Sequence, residues 1–290
     1  MPEARSSAGS SPTLRRRELG ALLRGLRTER GLTVEHVAGE LLCSPSKVSR
    51  METGQRGATP RDIRDLCQLY GVTDPSEQER LATLAKEGKQ QGWWQSFAVQ
   101  LPYMTYVGLE QEAAVINVFH SSVVPGLLQT GDYTRAIHKN GIPRLEDQAI
   151  EERVEERHKR RQILTRDNPP QVEVLLDEAA LHRPLGGAAV MQEQLNQLIV
   201  ETKRPNVTVR IIPYKIGAHP ALESNFTLLE FTGQAPTVVY VEGLVGQIYL
   251  ERQQDVDRYL LVLELLRGLA LSSQDSAALV AQVRDSYING

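Results

Sequence analysis

Apolar positions in the first 85 residues recur at helical spacing, and cap-and-proline signals separate one run from the next. Leu14, Leu19, Leu22, Leu23 and Leu26 stand three to five residues apart or adjacent, and predict a helix that ends at Gly31. Thr33 caps a second helix, whose buried side is Val34, Val37, Ala38 and Leu41. The turn Leu42-Cys43-Ser44 leads into a third, from Ser44 to Gly54, with both ends written into the chain. Ser44 offers a hydroxyl to a free amide of the first turn, Pro45 loses nothing by lacking an N–H there, and Gly54 tolerates the left-handed closing conformation. Val48 and Met51 form its single apolar stripe, and Ser46, Lys47, Ser49 and Arg50 occupy its other faces. Thr59-Pro60 opens a fourth helix with a core face of Ile63, Leu66, Leu69 and Tyr70, and Asp74-Pro75 opens a fifth around Leu81, Leu84 and Ala85. Five short helices without a strand pattern predict an all-α domain over residues 13–85. A Ser-, Ala- and Pro-rich leader, 1–12, precedes it and is expected to be disordered.

Residues 86–92 are polar with two glycines and read as a linker. Trp93-Trp94, the only tryptophans, follow at once and open a second domain, 93–288, as the start of a core or a seal between domains. Strands are predicted at Ala113 to Phe119, Val172 to Asp177, Val207 to Ile212, Phe226 to Phe231 and Val238 to Val241. The turn Val123 to Thr130 introduces a helix to about Lys139. Further helices are predicted at Glu146 to Thr165, Met191 to Thr202, Val256 to Leu271 and Ser276 to Tyr287. This larger domain is α+β, with one mixed sheet and helices packed on it.

Composition changes this picture little: 41% hydrophobic and 24% charged residues describe an ordinary globular chain, and no apolar run reaches the roughly 18 residues of a membrane span. Cys43 and Cys67 are too few for a disulfide framework or a zinc site, and are expected as small buried residues. Charge is more informative. Residues 1–61 carry 11 Lys and Arg against 6 Asp and Glu, a local +5 within a total of −3, so the remainder is −8. A basic start on an acidic body points to an anionic partner for the first domain.

Leu32-Thr33-x-x-x-Val37-Ala38-x-x-Leu41 followed by Ser44-x-Ser46-x-Val48-Ser49-Arg50-Met51-Glu52-x-Gly54 resembles the helix-turn-helix of the Cro/repressor-type, xenobiotic-response-element family, over about residues 14–72. The resemblance implies that the third helix enters a DNA major groove. It implies that Pro45, Ser46 and Arg50 face base edges, that Lys47 and Ser49 lie near bases or phosphates, and that Glu52 pairs with Arg27 of the first helix. Arg50 can bond bidentately to guanine. Pro45 departs from the amide side chain often found at its position in that family. Thr33 with Ser44, at the starts of the second and third helices, and Arg56 and Arg61, in and after the following loop, are the expected backbone contacts. Arg15, Arg16 and Arg17 read either as a solvated helix start or as a phosphate-binding arm. In the second domain, Val124-Pro125-Gly126-Leu127-Leu128-Gln129-Thr130, Gly217-Ala218-His219-Pro220 with Phe226 to Glu230, and Val239-Tyr240-Val241-Glu242 resemble the C-terminal domain of actinobacterial toxin–antitoxin-like transcriptional regulators. That resemblance implies a small protein partner encoded alongside.

No catalytic constellation stands out. His120-Ser121-Ser122 lacks a Gly-x-Ser-x-Gly elbow, and His219 has no His or Cys at metal-ligand spacing. Glu151, Glu152, Glu155 and Glu156 interleave with Arg153, Arg157 and Lys159 as a solvated, ion-paired face. No catalysis, cofactor or metal is therefore expected. Trp93, Trp94, Gln129 and His219 are the candidate contacts for a partner or a small ligand. The reading is a cytoplasmic, nucleoid-associated, sequence-specific transcription regulator that binds double-stranded DNA as a homodimer. Its second domain gates that binding through dimerisation, the partner or a ligand. The alternative is an antitoxin-like protein-interaction module in which DNA binding is secondary or lost.

Overall fold

The computed structural model describes residues 12–90, 92–97, 101–141, 144–233, 235–244 and 246–289. Two compact units divide the chain: one holds the residues up to Gln95 with Met104–Glu112 and Phe231–Pro236, the other holds Ser96–Tyr103, Ala113–Glu230 and Thr237 onward. None of the described helices is long and apolar enough to cross a membrane.

The first unit begins with α1 (Pro12–Glu29), so Pro12 belongs to a helix and the rest of the expected leader, 1–11, lies outside the described residues. Then come α2 (Val34–Glu40), α3 (Pro45–Glu52), α4 (Pro60–Tyr70) and α5 (Pro75–Glu87). Their starts follow the cap chemistry. The hydroxyls of Thr33, Ser44 and Thr59 accept from the amides of His36, Lys47 and Asp62, and the Asp74 carboxylate accepts from Ser76. At α4 the Asp62 carboxylate also accepts from the Thr59 amide, closing a capping box. One core unites the five helices, built from Leu19, Leu23, Val37, Val48, Met51, Ile63, Leu66, Tyr70 and Leu81 among others. Cys67 is buried in it and Cys43 is half-buried; both are free thiols.

A further helix, α6 (Leu101–Glu110), was not foreseen. The second unit continues with β1 (Val115–His120), α7 (Gly131–Lys139), α8 (Asp147–Arg161), β2 (Gln171–Asp177), α9 (Ala179–His182), α10 (Ala188–Glu201), β3 (Val207–Ile212), β4 (Phe226–Glu230), β5 (Val238–Gly243), β6 (Gly246–Leu250), α11 (Gln253–Leu269) and α12 (Ser273–Asn289). The six strands form one mixed sheet in the order β3-β2-β1-β4-β5-β6. β1, β2 and β3 are parallel, joined by helical crossovers, and β4, β5 and β6 run as an antiparallel meander. On one face Phe119, Leu175, Phe226, Leu228 and Val239 pack with Val256, Leu263 and Leu266 of α11. On the other, Val209 meets Leu198 of α10 and Val280 of α12. α12 also covers the β3 edge, where the Ile211 amide donates to the Ser276 hydroxyl and the Leu271 amide to the Ile211 carbonyl.

The charged face of α8 is the solvated, ion-paired surface that its composition suggests only in part: Glu151 and Glu155 are exposed and pair with Arg135 and Lys159, but the stripe around Glu156 is buried. Glu156 is 0% exposed and Arg160 3%. The reason is Tyr103, at the start of α6, whose hydroxyl donates to both Glu156 carboxylate oxygens at 3.1 and 3.3 Å and contacts the guanidiniums of Arg157 and Arg160. A helix missed in the sequence thus supplies the group that brings those charges inside.

Candidate nucleic-acid interface

The third helix stands on the first by close backbone approach. A Cβ on Gly20 would meet the carbonyl oxygens of Glu52 and Met51 at 2.5 and 2.6 Å, so only glycine lets α1 come this near. Gly54, at φ +68°, closes the far end of α3 in the left-handed region, and a Cβ there would meet Arg17 at 2.6 Å. Val48 and Met51 are buried beneath. Arg27 then clamps the end of α3: its Nε and Nη2 donate to the two Glu52 carboxylate oxygens at 2.6 and 2.9 Å, and its Nη1 donates to the Leu32 carbonyl at 2.8 Å. The Glu52 bond raises the Arg27 pKa further, against the opposing effect of burial. Tyr70 is buried beside this pair, and its phenol pKa is raised by burial first and then by the Glu52 charge.

This clamp turns one face outward. Pro45, Ser46, Ser49 and Arg50 are exposed, and Ser46, Ser49 and Arg50 follow the i, i+3, i+4 spacing of a single helical face. Arg50 makes no ion pair among the described residues. Arg56 and Arg61 are also exposed; Arg61 lies 3.6 Å from Asp65 in an open pair of the kind that adds little stability and leaves the cation reachable. Thr33 and Ser44 are exposed, with their hydroxyls already accepting from the first turns of α2 and α3.

Lys47 departs from the expected role. Its ammonium is 2.5 Å from Asp62 Oδ1, and Asp62 in turn accepts from the Thr59 amide and hydroxyl. Burial pushes the Asp62 pKa up, but Lys47 and the Thr59 bonds outweigh it and hold the carboxyl below its ordinary range. Lys47 therefore ties α3 to α4. The arginine triplet at the start of α1 is likewise absorbed by the scaffold, so neither of its two readings stands. Arg15 pairs with Glu18 and Glu87, Arg16 lies against Gly88 with its pKa lowered by burial, and Arg17 is 5% exposed. Neither Gly20 nor Asp62 was singled out in the sequence; α1 holds two glycines, Gly20 and Gly25, and nothing in the sequence separates the tightly packed one from the open one.

Each candidate partner or ligand contact is engaged within its own unit. Trp93 and Trp94 stack edge to face at 5.9 Å; Trp94 is buried, and a Cβ on Gly108 of α6 would meet it at 2.9 Å. Gln129 spends its amide locally, donating to the Val124 carbonyl and accepting from the Thr134 hydroxyl. The His219 side chain is fully buried against Phe119; its Nδ1 accepts from the Ala221 amide, which leaves Nε2 to donate to Asp177 at 3.2 Å. Both ring nitrogens are thus satisfied by the fold. Beside that loop, Pro220, Ser224, Phe226, Leu250, Arg258 and Tyr259 line a cleft of about 400 Å³.

Two family models match the chain. A helix-turn-helix domain covers residues 18–81, which contain α2, α3, α4 and most of α1, and a domain of unknown function (DUF5753) covers residues 103–282. No curated protein and no solved structure matches. With the sheet and its helices falling inside the longer match, and the clamped, outward-facing α3 inside the shorter one, the chain belongs to the DUF5753 family and carries a helix-turn-helix domain ahead of it.

Proposed function

We propose that this protein is a sequence-specific transcription regulator of the Cro/repressor type that reads double-stranded DNA with α3. The observation that carries the reading is the division of charge on that helix. Glu52 and Lys47 are bound to the scaffold, while Ser46, Ser49 and Arg50 stay exposed on one face. Eight residues of helix, roughly 12 Å, suit a major groove of about that width. In this reading Arg50 bonds a guanine edge, Pro45, Ser46 and Ser49 pack against neighbouring bases, and Thr33, Ser44, Arg56 and Arg61 hold phosphates. One such domain spans a half-site. The proposal therefore includes a homodimer on a two-fold operator with half-sites roughly 34 Å apart. The DUF5753 domain gates binding, directly or through a small partner protein of the antitoxin kind, in the nucleoid of the cytoplasm.

The test is selection of bound DNA with the full chain, followed by titrations of variants on the selected site. Arg50→Ala should cost about 1–3 kcal/mol on that site and relax the preference at one base pair. Arg61→Ala should weaken all sequences alike and make the salt slope shallower by about 0.9. Loss of affinity without relaxed preference in Arg50→Ala would make Arg50 a phosphate contact. A chain that selects no sequence would favour the antitoxin-like interaction module.

A further inference from the structure

The loop from β3 to β4 is pinned at both ends. His219 is held by Asp177 and the Ala221 amide, and the Asn225 side-chain carbonyl accepts from the Ser121 amide and hydroxyl at 2.8 and 3.0 Å. Between these anchors Ala221 and Ser224 form part of the wall of the 400 Å³ cleft, a volume within the roughly 300–1,000 Å³ of ordinary small-molecule sites. α11 supplies the longest stretch of that wall. Its Asp255, Arg258, Tyr259 and Val262 all line the cleft and follow the i, i+3, i+4, i+7 spacing of a single helical face. Phe226 is buried and packs edge to face on Tyr259, with ring centroids 5.0 Å apart, and Phe119 backs it at 5.9 Å. The cleft therefore has a fixed aromatic side. Its polar groups are few and unevenly committed. Asp255 is taken by Arg252 at 2.7 Å. Arg258 is exposed and makes no ion pair among the described residues, and the hydroxyls of Ser224 and Tyr259 have no hydrogen-bond partner among them. Arg252, Asp255 and Arg258 sum to one positive charge, and the uncommitted cation is the one on the aromatic stripe.

We propose that this cleft binds a small aromatic carboxylate. The ring of the ligand packs on Phe226, Tyr259 and Val262, where burial of apolar surface and ring contacts favour it. Arg258 takes the carboxylate through its planar pair of donors, and Ser224 and Tyr259 offer hydroxyls that can donate to it. The site lies wholly within the second unit and needs nothing of α3, so it stands or falls apart from the DNA-reading proposal.

Methyl-resolved NMR of the full chain, without DNA, tests it with phenylacetate and 2-naphthoate, each beside its uncharged amide at equal ionic strength. The expected result is a saturable shift of the Ala221, Leu250 and Val262 methyl signals with at least one of the acids. Its amide should bind about tenfold more weakly, the worth of one charge-assisted hydrogen bond. Arg258→Gln should bring the acid down to the affinity of the amide and leave the amide unchanged. Val262→Phe, which fills the cleft without altering charge, should abolish binding of both while circular dichroism reports the same fold. No saturable shift at these methyls with either acid, or equal affinity for acid and amide, would overturn the proposal. So would an acid affinity that Arg258→Gln or Val262→Phe leaves unchanged. Shifts of the same methyls with protein concentration alone would assign the cleft to a second copy of the chain, and would overturn it as well.

Discussion

Gly20 and Gly25 lie on one helix, five residues apart, yet a methyl group added to each should act in opposite directions. Gly25 has nothing within 4 Å of where a Cβ would stand, so Gly25→Ala should gain roughly 0.8–1 kcal/mol from helix propensity alone. Gly20→Ala makes the same local gain but drives a methyl into two backbone carbonyls that cannot turn aside. It should lose a net 1–3 kcal/mol as α1 and α3 are pushed apart. Urea unfolding of the two variants decides the matter, and a stabilised Gly20→Ala would refute the close approach. Leu42 is a different kind of strain. It adopts φ +50° in the turn between α2 and α3, with 93% of its surface exposed, so it carries the left-handed cost with little packing in return. Leu42→Gly should raise the urea midpoint, corresponding to roughly 1 kcal/mol. A lowered midpoint would mean that Leu42 is held by a contact that its exposure hides. Cap residues were readable from sequence because a hydroxyl and the amide it accepts are neighbours in the chain. The roles of Gly20 and Leu42 depend on distant atoms or on a backbone angle.

At the level of elements, α11 shows how a strand residue fixes a helix. Arg210 of β3 donates through Nε to the Leu271 carbonyl and through Nη2 to the carbonyls of Arg267 and Ala270, satisfying acceptors that the helix end leaves open. Arg267 in turn pairs with Glu173 and donates to Asn117. Arg210→Ala should cost about 2 kcal/mol, since charge-assisted bonds to half-buried helix-end carbonyls are lost. Hydrogen exchange should quicken first in the last turn of α11; uniform quickening across the second unit would argue against a local cap. Three elements were unforeseen: α9, a single helical turn, and α6 and β6, which were hidden for identifiable reasons. α6 is apolar on nearly every side and contains Pro102 and Gly108, so it has neither a helical stripe nor clean ends. β6 contains one β-branched residue, Ile248, in a five-residue edge strand, and its identity comes from pairing with β5 rather than from its own preference.

For the whole molecule, the half-buried His120 and His138 contribute to the response to acid. Burial first, with help from nearby arginines, lowers the pKa of His120 and of His138 to about 4, from an ordinary value of 6.5. Both are therefore neutral in the folded chain while the unfolded chain binds protons from about pH 6.5 downward. The stability that this difference carries is present at neutral pH and is lost between about pH 6.5 and pH 4, beyond which the two states titrate alike. Urea midpoints measured across that window should fall, and His120→Asn with His138→Asn should flatten the fall; an unchanged slope would mean that carboxylates dominate. The chain's own order of residues determined the capped starts of α2 to α5, the strands at β1 to β5, the α then α+β organisation, and which side of α3 is polar. Each rests on periodicity or on a cap within four residues. Tertiary structure alone decided what each charge does. Lys47 and Arg50 are cations three residues apart on one helix, yet Lys47 is bound by Asp62 from the next helix and Arg50 is left outward. Glu155 and Glu156 are neighbours, yet one is exposed and the other is sealed under Tyr103, 53 residues away. Helical propensity is nearly blind to whether a charge is solvated or paired, so only the packing of remote segments separates the scaffold from the candidate site.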